Sequence, residues 1–150
     1  MKKAIYILAA LLIIIQFIPV NFPEASTVNP NDLILNNKDI PEVVQLIIKN
    51  SCYDCHSNET KYPWYSHVAP VSFLVSRDVK NGRNHINFSI WETYKKTERA
   101  KILDEMSEYV TNGEMPMPIY TLIHRNAALS DEEKEILVTW TEEFADSMFE

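Results

Sequence analysis

The chain has few cysteines, few glycines and a deficit of basic residues: two cysteines, two glycines and 14 basic against 21 acidic residues. Because both cysteines, Cys52 and Cys55, lie in one short motif, none is left for a disulfide framework or a second CxxC pair. The formal net charge of -7 repels nucleic acid and favours partners with basic surfaces. At 150 residues, of which 46% are hydrophobic, the chain has room for one domain with a modest core.

Apolar residues recur with a helical period, and no stretch shows the alternation of a β-strand. The sequence therefore predicts an all-α fold. Gly82 and Gly113 are expected to end two of the helices, and Ser130 with Glu133 forms a capping box at the start of the last one. The predicted helices run from Asp39 to the cysteine motif, from Pro70 to Asn81, from about Thr97 to Asn112, from Ile119 to His124, and from Ser130 onwards.

The N-terminal stretch from Met1 to Val20 begins with two lysines and continues almost without polar residues. This pattern predicts an export segment, either a membrane anchor helix or a cleaved signal peptide. Both interpretations place the rest of the chain on the exported, periplasmic side of the cytoplasmic membrane. Residues 21–38 are rich in asparagine and carry two prolines, which favours a tether, and residues 39–150 are expected to form the domain.

The central motif is Cys52-Tyr53-Asp54-Cys55-His56. Two cysteines three positions apart, with a histidine directly after the second, form the pattern that attaches haem c. Each thiol adds to one haem vinyl group, and the histidine reaches the iron. The motif therefore predicts one covalent haem c as the cofactor, with His56 as an axial ligand.

The second axial ligand is less constrained by the sequence. Met115, followed by Pro116 in a loop before the last helix, is the favoured candidate, because Met/His ligation is typical of cytochromes c. An open or water-bound iron is an alternative. We also expect a backbone carbonyl near Pro63 or Pro70 to accept a hydrogen bond from the other ring nitrogen of His56. The remaining candidates for the second ligand are Met117, His67, His85 and His124.

The cysteines also allow two other interpretations. A structural zinc site could use four side chains, Cys52, Cys55, His56 and His67, although adjacent Cys55 and His56 are awkward for tetrahedral closure. A thioredoxin-like dithiol needs a CxxC that opens a helix after a strand, whereas this one follows a helix. Both are disfavoured relative to haem attachment.

From about Asp39 to Thr141 the chain resembles the small monohaem c-type cytochromes described as haem-binding domain proteins. The resemblance implies an exported, N-terminally anchored domain with a cytochrome c-like helical fold around one covalent haem. Residues 113–116 of the chain also resemble the methionine-ligand loop of small cytochromes c. The matching segments are 52–60 (CYDCHSNET), 62–65 (YPWY), 69–72 (APVS), 82–83 (GR), 87–89 (NFS), 113–116 (GEMP) and 129–130 (LS).

These features favour an electron carrier over an enzyme. His56 and Met115 would keep the iron coordinatively saturated, and the expected partners are redox proteins, with membrane contact through the N-terminal helix and none with nucleic acid. The alternative is a haem-based enzyme or sensor, such as a peroxidase or gas-binding module, in which the sixth position is open or displaceable.

Overall fold

The computed structural model describes residues 1–149, and this part of the chain is helical without any β-strand. The predicted all-α fold is confirmed. Short 3₁₀ turns at 15–17, 64–67, 88–93 and 125–127 connect the α-helices. The α-helices are α1 (Lys2–Ile14), α2 (Leu33–Asn36), α3 (Glu42–Ser51), α4 (Tyr53–His56), α5 (Val71–His85), α6 (Lys96–Thr111), α7 (Pro118–Ile123) and α8 (Asp131–Ser147).

The most extensive contact between two helices is that of α6 with α8, which forms one part of the core. Helix α8 begins with the predicted capping box: the Glu133 backbone N–H donates to Ser130 Oγ over 3.2 Å, and the Ser130 N–H donates to the Glu133 carboxylate over 2.8 Å. The buried residues of the two helices belong to the same core cluster as Trp91. Trp91 is fully buried and stacks on Phe144 of α8. Further buried residues of these helices are Ile102, Leu103, Val110, Leu137 and Trp140.

Helix α3 leads the chain into the cysteine motif. Its buried face consists of Val44, Ile47 and Ile48, as the helical spacing predicts. Val43, which the predicted stripe included, is 45% exposed because it lies in the first turn on the solvent side of that face. The remaining stripe is enough to fix α3 against the core and so to fix the position of Cys52 that follows it.

The N-terminal segment differs from the predicted 20-residue span. Helix α1 ends at Ile14, a 3₁₀ turn follows, and every residue of α1 is exposed. Across residues 1–149, no helix combines the length and the apolar character needed to cross a membrane. The structure therefore does not support a single anchor helix over Met1 to Val20, because the helical geometry stops before the apolar run does.

Part of the predicted tether lies against the domain. Leu33 is completely buried and Ile34 is 8% exposed, and both belong to the core cluster. Asp32 begins this short helix α2, where its carboxylate accepts hydrogen bonds from the backbone N–H groups of Ile34 and Leu35. Leu33 and Ile34 provide the apolar surface whose burial makes docking of this segment favourable.

Candidate functional site

A cleft of about 360 Å³ opens between α4, α5, α6 and the loop that precedes α7. The four residues predicted to hold the cofactor, Cys52, Cys55, His56 and Met115, all line this cleft. Its walls are otherwise mostly apolar, which suits a large flat cofactor and limits contact with water. The apolar lining includes Ile86, Phe88, Ile102, Met106, Val110 and Leu129.

Helical geometry brings the three motif side chains together. The N–H groups of Cys55 and His56 both donate to the Cys52 carbonyl, over 3.1 and 2.9 Å, so the motif forms a helical turn. Positions i, i+3 and i+4 of such a turn share one face. Helix α4 ends at His56, and the backbone of the following residue, Ser57, is extended. The CxxCH spacing therefore directs Cys52, Cys55 and His56 into the same cleft.

His56 is fixed by the backbone of α5. Its Nδ1 lies 3.0 Å from the Gly82 carbonyl oxygen and 3.2 Å from that of Ile86. Since carbonyls only accept, Nδ1 carries the hydrogen, and Nε2 keeps its lone pair for a metal. Burial lowers the pKa of His56, outweighing the opposite effect of the two carbonyls, so the imidazole stays neutral as a ligand must be.

The prediction that His56 bonds to a backbone carbonyl near Pro63 or Pro70 is therefore wrong. The prediction that a helix ends at Gly82 is also wrong. Helix α5 continues to His85, with Gly82 inside it. A Cβ atom at position 82 would lie 2.7 Å from the Cys55 carbonyl oxygen, closer than Cβ atoms approach other atoms in proteins. Glycine is therefore required at position 82 because α4 and α5 touch there, which brings the Gly82 carbonyl within reach of His56.

The two cysteines are free thiols. Burial raises the pKa of Cys52 to about 12 and that of Cys55 to about 11, and the neighbouring thiol or carboxylates add to the effect. Both thiols are therefore protonated near neutral pH. A dithiol redox centre needs a thiolate of lowered pKa, so the structure argues against the thioredoxin-like interpretation.

Met115 lies in a loop that is fixed at its start. Gly113 has a φ of 71° and ends α6, as predicted, and the N–H groups of Glu114 and Met115 both donate to the Tyr109 carbonyl, over 2.9 and 3.1 Å. Met115 is half-buried and faces the cleft. Met117 also lines the cleft, so both methionines of the loop are within the site.

The three other histidines are dispersed. His85 lines the cleft, but its Nε2 lies 3.6 Å from a Glu105 carboxylate oxygen. His67 packs its ring on Phe22 and His124 bonds to the Tyr65 hydroxyl, and neither lines the cleft.

The zinc alternative needed His67 beside the cysteines, and the structure does not bring these residues together. Within residues 1–149, no group of three or more histidine, cysteine, aspartate or glutamate side chains is arranged to hold a metal ion. A haem site needs no such cluster, because the porphyrin supplies most of the ligands to its iron.

The side of α4 away from the cleft is held by residues that the motif does not predict. Tyr53 is 5% exposed, and its hydroxyl lies 3.0 Å from both carboxylate oxygens of Asp32, which is 2% exposed. Ser57 is completely buried, donates to the Tyr53 carbonyl over 2.8 Å and accepts from the Glu59 N–H over 2.9 Å. The sequence signal for Asp32 is its position as an N-cap before the apolar run at Leu33.

The donor set fits a haem: an apolar cleft, two thiols and a neutral imidazole with a free Nε2 facing the same space. A small helical domain with such a site belongs to the class of haem-binding proteins. Comparison with protein families agrees, since the model of the haem-binding domain family matches residues 10–143. The chain is a member of this family. No curated protein and no solved structure shows a significant match.

The family match begins well before Asp39, where the motif-based resemblance began, and it covers residues 21–38. This agrees with the burial of Leu33 and Ile34 in the core. The segment around α2 is thus both a part of the matched region and a part of the folded structure.

Proposed function

We propose that the chain is a c-type cytochrome that carries single electrons through one covalently bound haem c, and that it is not an enzyme. Cys52 and Cys55 hold the haem as thioethers, each S–H adding across one vinyl C=C bond. His56 and Met115 would be the protein ligands of its iron. The observation that carries this proposal is that all four side chains line one apolar cleft while His56 Nδ1 is already occupied by backbone carbonyls.

When bound, a haem supplies an iron that exchanges one electron between its ferric and ferrous states. The residues of the chain supply position and environment. The Gly82 and Ile86 carbonyls fix the tautomer and the orientation of His56, and the hydrogen bonds to the Tyr109 carbonyl hold the loop that presents Met115. With His56 and Met115 as its protein ligands, the iron would have no free position for a substrate, which favours electron transfer over catalysis.

We further propose that the domain functions on the exported side of the cytoplasmic membrane. Support comes from the apolar composition of the segment from Met1 to Val20, whose side chains are nearly all exposed in the structure and are available for contact with a bilayer. Haem attachment through CxxCH is consistent with that compartment. The partners are redox proteins, and the excess of acidic residues favours partners with basic surfaces.

The test is the optical spectrum of the full chain produced together with haem-attachment machinery. A pyridine haemochrome assay first shows whether the haem is covalently bound. The oxidised protein is then examined with and without cyanide, and the reduced protein with and without carbon monoxide. We expect a low-spin spectrum with a methionine-to-iron charge-transfer band and no ready binding of either ligand.

A high-spin spectrum with rapid binding of cyanide or carbon monoxide would contradict the carrier and favour the haem enzyme or sensor. Absence of any haem absorbance after expression with the attachment machinery would contradict haem attachment altogether. Fractionation of cells that express the full chain tests the proposed location, since recovery of the haem protein in the cytoplasmic fraction would exclude export.

A further inference from the structure

A second cavity, of about 320 Å³, lies beside the haem cleft and shares five lining residues with it: Asp54, Cys55, Asp78, Met117 and Tyr120. We call it the Tyr65–His124 cavity. Its volume falls within the range of about 300–1,000 Å³ that is typical of small-molecule sites. The proposed roles of the haem cleft make no use of this space. Its apolar walls come from α5 and α7 and include Val71, Leu74, Val75, Val79, Ile119 and Ile123.

The polar groups in the wall suit an oxygen atom that can be a carbonyl or a hydroxyl. The Tyr65 hydroxyl forms a hydrogen bond with His124 Nε2. If tyrosine donates, its oxygen can still accept a hydrogen bond from a ligand, and if the imidazole donates, the tyrosine O–H can still donate to one. The pair therefore accommodates a ligand oxygen in its C=O form and in its O–H form.

The same wall offers a stacked pair of aromatic rings. The rings of Tyr120 and His124 are stacked, with centroids 4.3 Å apart and planes inclined by 16°. Tyr120 is held in place by its hydroxyl, which donates to an Asp54 carboxylate oxygen over 2.7 Å. A planar ring can stack on the outer face of one ring of this pair.

The charges in the wall balance. The cavity is lined by two acidic residues, Asp54 and Asp78, and by two basic ones, Lys61 and Arg77. Arg77 forms an ion pair with Asp78 over 2.8 Å, and Asp54 accepts hydrogen bonds from Tyr120 and from the Lys61 backbone. An uncharged ligand fits this environment better than an anion or a cation.

The mouth of the cavity is apolar. Leu74 is 47% exposed, Ile119 66% and Ile123 60%, and all three line the cavity. The N-terminal segment contacts the chain just before the α5 wall of the cavity, because the Gln16 side chain exchanges two hydrogen bonds of 3.0 Å with the backbone of Ala69, two residues before Val71. A lipophilic ligand would therefore enter from the same side as the apolar N-terminal segment.

From these observations we infer that the Tyr65–His124 cavity binds the ring of a lipophilic quinone or quinol. The ring lies against Tyr120 and His124, and one ring oxygen bonds to the Tyr65–His124 pair. The inference deepens the proposed electron-transfer function by naming a class of small-molecule partner, and its physiological meaning rests on that function. Quinone binding itself does not depend on electron transfer, so the inference and the proposed function can be disproved separately.

The test is equilibrium binding of tetramethyl-1,4-benzoquinone to the full chain that carries haem. The protein is kept oxidised, so that binding is measured without electron transfer, and its cysteines are then thioethers that cannot react with the quinone. Calorimetric titration should give one saturable site. 1,2,4,5-Tetramethylbenzene, which has the same shape but no ring oxygens, should bind more weakly.

Three variants locate the site. Val75→Phe fills the cavity and should weaken quinone binding roughly tenfold or more. Tyr65→Phe removes one hydrogen-bonding group and should weaken binding about fivefold, with no effect on the oxygen-free probe. Leu46→Phe makes a comparable change at an exposed residue of α3 that lines neither cavity, and it should leave binding unchanged. If Val75→Phe does not fold, Ile119→Asp at the exposed rim replaces it, with the same expected loss.

Several results would overturn the inference. Absence of saturable binding to the unchanged chain would do so, as would binding unaffected by the cavity variants. Equal binding of both probes together with an inert Tyr65→Phe would show a merely apolar site and exclude the quinone class. A loss of haem attachment in folded Val75→Phe would show that this space belongs to the haem cleft. Conversely, quinone binding by a protein whose haem readily binds cyanide would contradict only the electron carrier.

Discussion

The two faces of helix α4 are built for different tasks. Toward the cleft the helix presents Cys52, Cys55 and His56, whose side chains retain capacity for a cofactor: two free thiols and an imidazole with a free Nε2. Toward the core it presents Tyr53, and Ser57 follows directly; both are buried and bonded within the protein. The comparison shows that the four-residue helix depends on the core side for its position and on the cleft side for its chemistry.

This difference predicts separable effects of substitution. Changes on the cleft face should alter the haem with little effect on the fold, whereas changes behind α4 should lower the free energy of unfolding first. Gly82 lies at the contact between α4 and α5, where both effects should appear together.

The largest effect is expected from the double substitution of Cys52 and Cys55 by alanine. Since these are the only cysteines, the variant has no thiol to form a thioether, and covalent haem should be lost completely. Each single variant should keep one thioether at reduced yield. The pyridine haemochrome assay on acid-extracted protein measures the covalent fraction. Ser51→Ala, at another residue lining the cleft, is the control, and covalent haem in the double variant would refute the proposed attachment.

Behind α4, Asp32→Ala should reduce the free energy of unfolding by about 3 kcal/mol. The substitution leaves the buried Tyr53 hydroxyl and the backbone N–H groups of Ile34 and Leu35 without their acceptor. Urea denaturation measures the loss. Asp39→Ala removes an exposed aspartate from the same region and should be nearly neutral. Equal effects of the two substitutions would mean that the Asp32–Tyr53 contact does not stabilise the domain.

At the contact between the two helices, Gly82→Ala should reduce the free energy of unfolding by about 2 kcal/mol and also reduce haem incorporation. The new methyl group meets the Cys55 backbone, which can move only together with the motif, and this overpacking exceeds the gain in helix propensity. Denaturation and haem content are measured on the same samples. Asn84→Ala, at an exposed position of α5, should show neither loss. A fully loaded and stable Gly82→Ala would contradict the close contact.

The smallest effect is expected for Ser57→Ala, about 1 kcal/mol in the free energy of unfolding. The Ser57 hydroxyl is buried and serves both the Tyr53 carbonyl and the Glu59 N–H, so its loss leaves two backbone groups to find other partners. Ser147 makes a similar bond of 2.8 Å to the Phe144 carbonyl, but it is exposed. Ser147→Ala should therefore be within experimental error of the unchanged chain, and an equal loss in both would refute the role of burial.

The cleft face of α4 could be predicted from the sequence, and its surroundings could not. The CxxCH spacing and the helical period are local, so the motif, its common face and the stripes of α6 and α8 follow from the sequence alone. The contact at Gly82 depends on how α4 packs against α5, which no local pattern encodes. From the sequence alone, Gly82 is interpreted as the residue that ends the helix, rather than as a contact between two helices.

Asp32 is a second residue whose role could not be predicted from the sequence. The asparagine-rich composition of residues 21–38 favours a tether, yet burial of two neighbouring apolar residues, Leu33 and Ile34, is enough to dock part of it. Burial of Leu33 in turn places the Asp32 carboxylate beside Tyr53, across a separation of 21 residues. Contacts of this kind depend on tertiary structure, and the composition of a segment does not indicate which of its residues form them.

The central claim, that His56 and Met115 ligate the iron, is tested most directly by comparing Met115→Ala with Met117→Ala in the haem-loaded protein. Both methionines lie in one loop and line one cleft, so the pair separates ligation from packing. For Met115→Ala we expect loss of the methionine-to-iron charge-transfer band and either a lower reduction potential or a high-spin iron, while the haem stays attached. Met117→Ala should retain the band and the potential. An unchanged spectrum and potential in Met115→Ala would contradict the claim.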